Sequence, residues 1–186
     1  MRYETFDPEV HDISKVARLE YDVDFRTFDM LFKSSDSAVK AISNSLRDED
    51  LETFLVILDD DNEIIGIVVY YVSEFPRHFN FKSLRLLIID ILDYFVLSDV
   101  GPGDLYIAEL AIDSSLRGQG LGHKVLNDFM YYAENENINR ILLDADFRNS
   151  GARKLYEKMG FKEINKKRIK FLCFERGMYN MGLTIK

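Results

Sequence analysis

Leu105-Tyr106-Ile107-Ala108-Glu109-Leu110-Ala111-Ile112-Asp113 alternates as a strand does, and Arg117-Gly118-Gln119-Gly120-Leu121-Gly122 follows it at the mouth of an amphipathic segment running to about Glu136. The segment reads as a helix. Leu121, Val125, Phe129 and Ala133 recur at i, i+4, Leu126 and Met130 widen the stripe, and His123, Lys124, Asp128 and Glu134 fill the other face. A helix opens with N–H groups that have no intrahelical acceptor, and its aligned peptide dipoles leave partial positive charge there, which suits a phosphate. Gly120 and Gly122 are expected to let those amides approach an anion and to take dihedrals that other residues resist. Over these residues alone, an ordinary strand-to-helix turn would look the same.

Two phosphate loops can be tested against the turn. The dinucleotide fingerprint needs glycines at its first, third and sixth positions, but counting from Gly118 the sixth is His123, a large side chain where close helix–strand packing wants none. The nucleotide-triphosphate loop needs Gly-Lys-Ser/Thr at its end, and Gly122-His123-Lys124 does not supply it. What remains is R-x-x-G-x-G after a strand ending Leu110-Ala111-Ile112-Asp113. Downstream comes Asn149-Ser150-Gly151-Ala152-Arg153-Lys154-Leu155-Tyr156-Glu157-Lys158-Met159-Gly160-Phe161.

In these two stretches the chain resembles the GNAT superfamily of N-acetyltransferases. The first is similar to the family's L-A-V strand end with its R/Q-x-x-G-x-G/A loop, the second to N-x-x-A-x-x-L-Y-x-x-x-G-F, and the resemblance spans Leu105 to Ile164. It implies an α/β fold: a mixed, mostly antiparallel central sheet with a splayed parallel strand pair, flanked by helices, as in the acyl-CoA N-acyltransferases. It also implies acetyl-CoA as the acyl donor. Carried over by position, Leu110, Ala111 and Ile112 align the pantetheine and acetyl carbonyl. Arg117, Gly118, Gln119, Gly120, Leu121 and Gly122, with His123 beside them, hold the pyrophosphate. Asn149 matches the asparagine near the pantetheine arm, and Tyr156 the tyrosine that protonates the leaving thiolate. On the residues alone, Tyr156 also reads as an aromatic packed on the sheet, and Asn149 as a helix N-cap.

Acetyl transfer needs a neutral amine, whereas a lysine-like amine with pKa about 10.4 is roughly 99.9% protonated at pH 7. Glu109, Asp144 or a water relay could take the proton, and burial could tune either carboxyl for the task. Direct transfer in a ternary complex is expected, because Cys173 has no histidine near it in sequence to activate it. A non-catalytic acyl-CoA-binding module of the same fold is the alternative.

Composition narrows the class. The chain has 186 residues, fitting a single domain over 1–186 with a helical insertion at about 76–104, and it is long enough to bury most of its apolar surface. One cysteine and no leader-like start make the cytoplasm the expected compartment, and His11, His78 and His123 show no zinc-like spacing, so no metal is expected. The run Leu84–Leu97 is interrupted by Arg85, Asp90 and Asp93 and falls short of the about 20 residues a bilayer needs, so no membrane association is expected. Net charge is −8, yet Arg117–Lys124 carries +2 and Asp146–Lys162 +3, leaving −13 for the rest. Local positive charge suits a polyanionic donor; the acidic remainder suits an amine acceptor, or simply solubility, and argues against nucleic acid.

The remaining periodicities supply the flanks. They predict a strand over Met1–Phe6, a helix from Asp12 interrupted at Asp22 and Asp24, a short helix over Ser37–Leu46, and a hairpin Thr53–Leu58 with Glu63–Ser73. Ile141-Leu142-Leu143 reads as a buried central strand, Asn149–Met159 as a helix closed by Gly160, and about Phe161–Phe174 and Tyr179–Ile185 as the last strands. In the insertion, Leu84, Leu87, Ile88, Ile91, Leu92 and Phe95 fall on one side of a helix. Extra core, a homodimer contact and a wall for the acceptor pocket are its three readings.

Overall fold

The computed structural model describes residues 1–47, 52–75, 83–171 and 174–185; His78, Cys173 and the first part of the insertion lie outside these residues. Strands and helices follow in the order β1 (Arg2–Thr5), α1 (Ile13–Val23), α2 (Phe25–Leu31), α3 (Ser35–Ser45), β2 (Phe54–Leu58), β3 (Ile64–Val72), α4 (Leu84–Val96), β4 (Asp104–Ile112), α5 (Leu121–Asn135), β5 (Arg140–Asp146), α6 (Ser150–Lys158), β6 (Lys162–Phe171) and β7 (Phe174–Thr184). The strands form a sheet in the order β1-β2-β3-β4-β5-β7-β6. It is mostly antiparallel with a parallel β4–β5 pair, and helices flank it, as the sequence predicts.

The residues divide into two compact units, the first holding β1, β2, most of β3, the end of β4 and the glycine turn. Here the break between α1 and α2 has a local cause. The Asp12 side chain accepts from the Ser14 and Lys15 amides at 2.9 and 3.2 Å to start α1, and Asp24, at φ −138°, ends it. Val16, Ala17, Leu19 and Tyr21 face inward, against the Ala38 and Ile42 side of α3, which a reciprocal Ser34–Ser37 box caps. The β2–β3 hairpin turns where Asp59 accepts from the amides of Asp61 and Glu63, both at 2.9 Å, and Asn62 takes a left-handed φ of 66°.

The second unit holds the start of β4, strands β5 to β7, α6, and most of α4 and α5. Ile141, Leu142 and Leu143 are buried, as a central strand requires. Asp104 to Ile107 pair in parallel with Arg140 to Leu143; the pairing then stops although β4 runs to Ile112 and β5 to Asp146. β7 starts at Phe174, five residues ahead of expectation, because Met178 to Thr184 pair along the whole of β5 while the earlier part pairs with β6. Gly160 ends α6 at φ 92°, as the sequence suggests.

The insertion is the helix α4, but its buried face is not the one that the spacing picks out. Leu86, Ile89 and Val96 are buried, each worth about 1.5–3 kcal/mol, while Leu84, Ile91 and Phe95 are exposed. In so apolar a helix several faces satisfy the same periodicity, and tertiary contacts choose among them.

Candidate active site

The end of β4 presents backbone rather than side chains. A Cβ added to Gly66 would lie 2.6 Å from the Ala111 carbonyl oxygen, and the Asp113 amide donates to the Ile65 carbonyl at 2.9 Å, so the odd residues direct their peptide groups to β3. By the alternation of a strand, Leu110 and Ile112 direct theirs to the opposite edge; among the described residues the β4–β5 pairs run from Asp104 to Ile107. Two such peptide groups on one edge can bind an amide-bearing chain. Glu109 is half-buried one residue earlier, with its Oε2 closed off from solvent.

After β4 the chain makes a tight 3₁₀ turn at Ser114–Leu116. Asp113 accepts from the Ser115 amide at 3.0 Å and its hydroxyl at 2.8 Å, and these bonds, with Lys15 at 3.7 Å, hold the carboxyl below the usual carboxylate range. Gly118 and Gly120 then stand at φ 81° and 80°, with open space where a Cβ would be. Their requirement is therefore conformational, and it falls on Gly118 and Gly120 rather than on Gly120 and Gly122, which lies within α5 outside the left-handed region. Arg117, Gln119, His123 and Lys124 are exposed around the first turn of this 15-residue helix. Asn127 Nδ2 donates to His123 Nδ1 at 2.9 Å, which assigns the ring proton to Nε2, a donor available to an anion.

The second unit brings Asp144 and Tyr156 into electrostatic reach of one another. Tyr156 is 8% exposed, its ring 6.0 Å from that of Phe161, and its hydroxyl makes no hydrogen bond among the described residues. Burial, followed by the charge of Asp144, pushes the phenol up to about 12, so it remains a proton donor throughout the physiological range. Asp144 is the acceptor for four donors: the Ser98 amide at 2.9 Å, Ser98 Oγ at 2.7 Å, Tyr106 Oη at 2.7 Å and Asn180 Nδ2 at 2.5 Å. Sequence reading missed Ser98, Tyr106 and Asn180 because they lie 36 to 46 residues from Asp144 and carry no motif.

Asn149 caps α6, its Oδ1 accepting from the Ala152 amide at 3.0 Å, and it is exposed. The turn before it is stiff. Burial would raise the Asp146 carboxyl, but paired bonds from Arg148 at 2.8 and 2.7 Å outweigh burial and hold it below the usual range. Arg153 lies 4.0 Å over the ring of Tyr179, fastening α6, and so Tyr156, to β7.

The glycine turn and strand end of the first unit, and the buried phenol of the second, can each be matched against known proteins. Residues 20–161 match the acetyltransferase (GNAT) family. The chain belongs to that family. Enzymes of the GNAT family use acetyl-CoA as their acyl donor. Over 56 residues this GNAT chain is 38% identical to N-alpha-acetyltransferase 30 of Saccharomyces cerevisiae and 36% identical to that of Homo sapiens, a stretch covering 30% of the chain but only 32% and 16% of those proteins. Its fold is that of an N-acetyltransferase from Staphylococcus aureus Mu50, with a TM-score of 0.68 at 22% identity over 98% of this chain and 100% of the other. Ard1 from Thermoplasma volcanium gives 0.61 at 17% identity, over 98% and 96%. Among the described residues, no helix is long and apolar enough to cross a membrane.

Proposed function

We propose that this chain is an acetyl-CoA-dependent N-acetyltransferase that passes the acetyl group directly to a primary amine in a ternary complex. The observation that carries the proposal is the pair of left-handed glycines, Gly118 and Gly120, opening α5 in a chain of this family. The residues fit the donor. The α5 amides, with Arg117, Gln119, Leu121, Gly122 and His123, receive the pyrophosphate; the peptide groups of Leu110 and Ile112, with Ala111 between them, receive the pantetheine; and Asn149 borders that arm while capping its helix. When bound, acetyl-CoA supplies an activated thioester carbonyl.

The chain's own residues move the protons. Glu109, one residue from the pantetheine edge, takes the proton of the amine as nitrogen attacks the carbonyl carbon, and Tyr156 gives its proton to the sulfur as the C–S bond breaks. A phenol raised to about 12 is a weaker acid than a thiol at about 8.5, so full transfer is uphill by about 3.5 pK, and the hydrogen bond from Tyr156 to the sulfur carries the stabilisation as charge builds there. The acceptor class follows from the relatives' names, which put peptide α-amines first. These have a pKa of about 7.7–8.0 and need less help from a base than lysine side chains do.

The test is thiol release from acetyl-CoA across peptides with free N-termini, lysine side chains, polyamines and amino acids, followed by mass spectrometry of the product. Acetylation of an amine carries the proposal. Tight acetyl-CoA binding with no acylated product from any amine class would replace it with a non-catalytic acyl-CoA-binding module.

A further inference from the structure

Among the described residues β6 is the end strand of the sheet, and its register fixes which way its backbone faces. Arg168 stands opposite Gly177 on β7, whose carbonyl accepts from the Phe147 amide at 3.0 Å, on the side away from β6. The pair is therefore of the non-hydrogen-bonded kind, in which both residues turn their peptide groups outward, so Arg168 directs its N–H and C=O to the open edge. By alternation Lys166 and Lys170 do the same. The Lys166 amide is held by the side chain of Asn165 at 2.7 Å, and a bulge between Glu163 and Asn165 ends the regular row. Along Lys166–Lys170 the strand thus offers donors and acceptors at the spacing of a β-ladder.

The same three residues carry charge. Lys166, Arg168 and Lys170 are exposed and project from one face, where Lys166 Nζ lies 4.8 Å from the ring centre of Phe147 and 5.0 Å from that of Tyr179. Arg168 pairs with Glu175 at 3.1 Å, both exposed, a surface contact that another carboxylate can replace; Lys170 makes no ion pair among the described residues. From Lys162 to Lys170 five cations face one acid, Glu163, a net +4 in a chain of −8. Lysine on an edge ordinarily bars pairing. Here it chooses the partner. A second copy added about a two-fold axis at Arg168 would set arginine opposite arginine and lysine opposite lysine, and like charges directly opposite destabilise a sheet.

We infer that the open edge of β6 is a docking strand for an extended acidic segment of a partner protein, which adds to the sheet with carboxylates on alternate residues facing Lys166, Arg168 and Lys170. Side chains directly opposite on neighbouring strands stand about 4.5–5.5 Å apart, within reach of an ion pair, so every second residue of the partner must be acidic. A phosphate backbone would answer the charges but not the carbonyls, which need donors; a peptide strand answers both. The intervening residues would lie beside half-buried Ile169 and suit apolar side chains.

The probe is a capped, fluorescein-labelled peptide of alternating glutamate and valine, titrated into the full chain by anisotropy, with amide hydrogen exchange followed by mass spectrometry. Binding should saturate, weaken by about threefold or more from low to physiological salt, and slow exchange in β6. Joint reversal by Lys166→Glu, Arg168→Glu and Lys170→Glu should lower affinity by about tenfold or more, and the milder Lys170→Ala by about two- to threefold. N-methylating the glutamates and N-methylating the valines should have unequal effects, one set weakening binding by about tenfold or more and the other little, since an added strand pairs along one of its edges only. If the two methylated peptides bind alike, charge attraction without strand addition replaces the inference. Equal affinity for an oligothymidylate of the same charge, protection of β6 that grows with protein concentration in the absence of peptide, or no saturable binding would each overturn it. None of these results depends on whether the chain acetylates an amine.

Discussion

Replacing Tyr156 by phenylalanine removes one oxygen and leaves the ring against Phe161, so its effects on stability and on turnover can be separated. At pH 8 the deleted hydroxyl has no hydrogen-bond partner among the described residues, so the variant should be within about 1 kcal/mol of wild type in stability. In alkali the sign follows from proton linkage. The folded phenol titrates near 12 and the unfolded one at 10.0, so below pH 10 both states hold the proton and stability is flat. Between the two values only the folded state holds it, and wild-type stability falls by up to about 1.4 kcal/mol per pH unit, or about 2.7 kcal/mol in full. Phenylalanine has no such penalty. Urea midpoints at pH 8 and about pH 11 should therefore diverge by about 1.4 kcal/mol in favour of the variant. Tyr21, also raised to about 12, contributes equally to both proteins and cancels. Turnover should drop about 100-fold, the lower end of what a general acid supplies, with acetyl-CoA affinity within about twofold. Unchanged turnover would refute Tyr156 as the acid, and parallel alkaline stability curves would refute its burial as a protonated phenol.

Gly120→Val asks a β-branched residue to hold φ 80°, a strain of about 1–2 kcal/mol that should reshape the turn; calorimetry should show acetyl-CoA binding lost, and retained affinity would remove the pyrophosphate assignment. Gly66→Ala sets a Cβ 2.6 Å from the Ala111 carbonyl oxygen and 2.9 Å from Ile112 Cδ1. It should cost about 1–3 kcal/mol by denaturation and raise the acetyl-CoA KM, since the strand end that would hold pantetheine must shift. Arg140→Ala leaves Asp104, 4% exposed, without the two bonds at 2.9 and 2.7 Å that now hold it. Because the Gly101 amide still donates and the arginine is partly exposed, the expected loss is about 2–3 kcal/mol in urea with the kinetic constants little altered.

Local features were legible because local chemistry causes them. Asp12 and the Ser34–Ser37 pair act on amides within a few residues, so the early helix boundaries followed from the sequence to within about two residues. The lone glycine at 66 within the apolar run of β3 was also a readable sign of close backbone approach, and the sequence reading passed over it. The face that α4 buries was a different matter. A helix that is apolar nearly all round carries no periodic signal, and Leu86, Ile89 and Val96 were selected by what they meet.

The chain by itself determined the order of elements and the place of the glycine turn ahead of α5, because a turn and a helix start need only a few consecutive residues; that the left-handed pair is Gly118 and Gly120 came from the structure. It also placed Asn149 and Tyr156 on the helix after β5. Only the tertiary structure decided what Asp144 meets. In sequence it is a carboxylate at the end of a strand, free to be a base; folded, it meets Ser98, Tyr106 and Asn180, brought from three other elements. A side chain's role depends on which of its lone pairs are already taken, and sheet register and packing settle that.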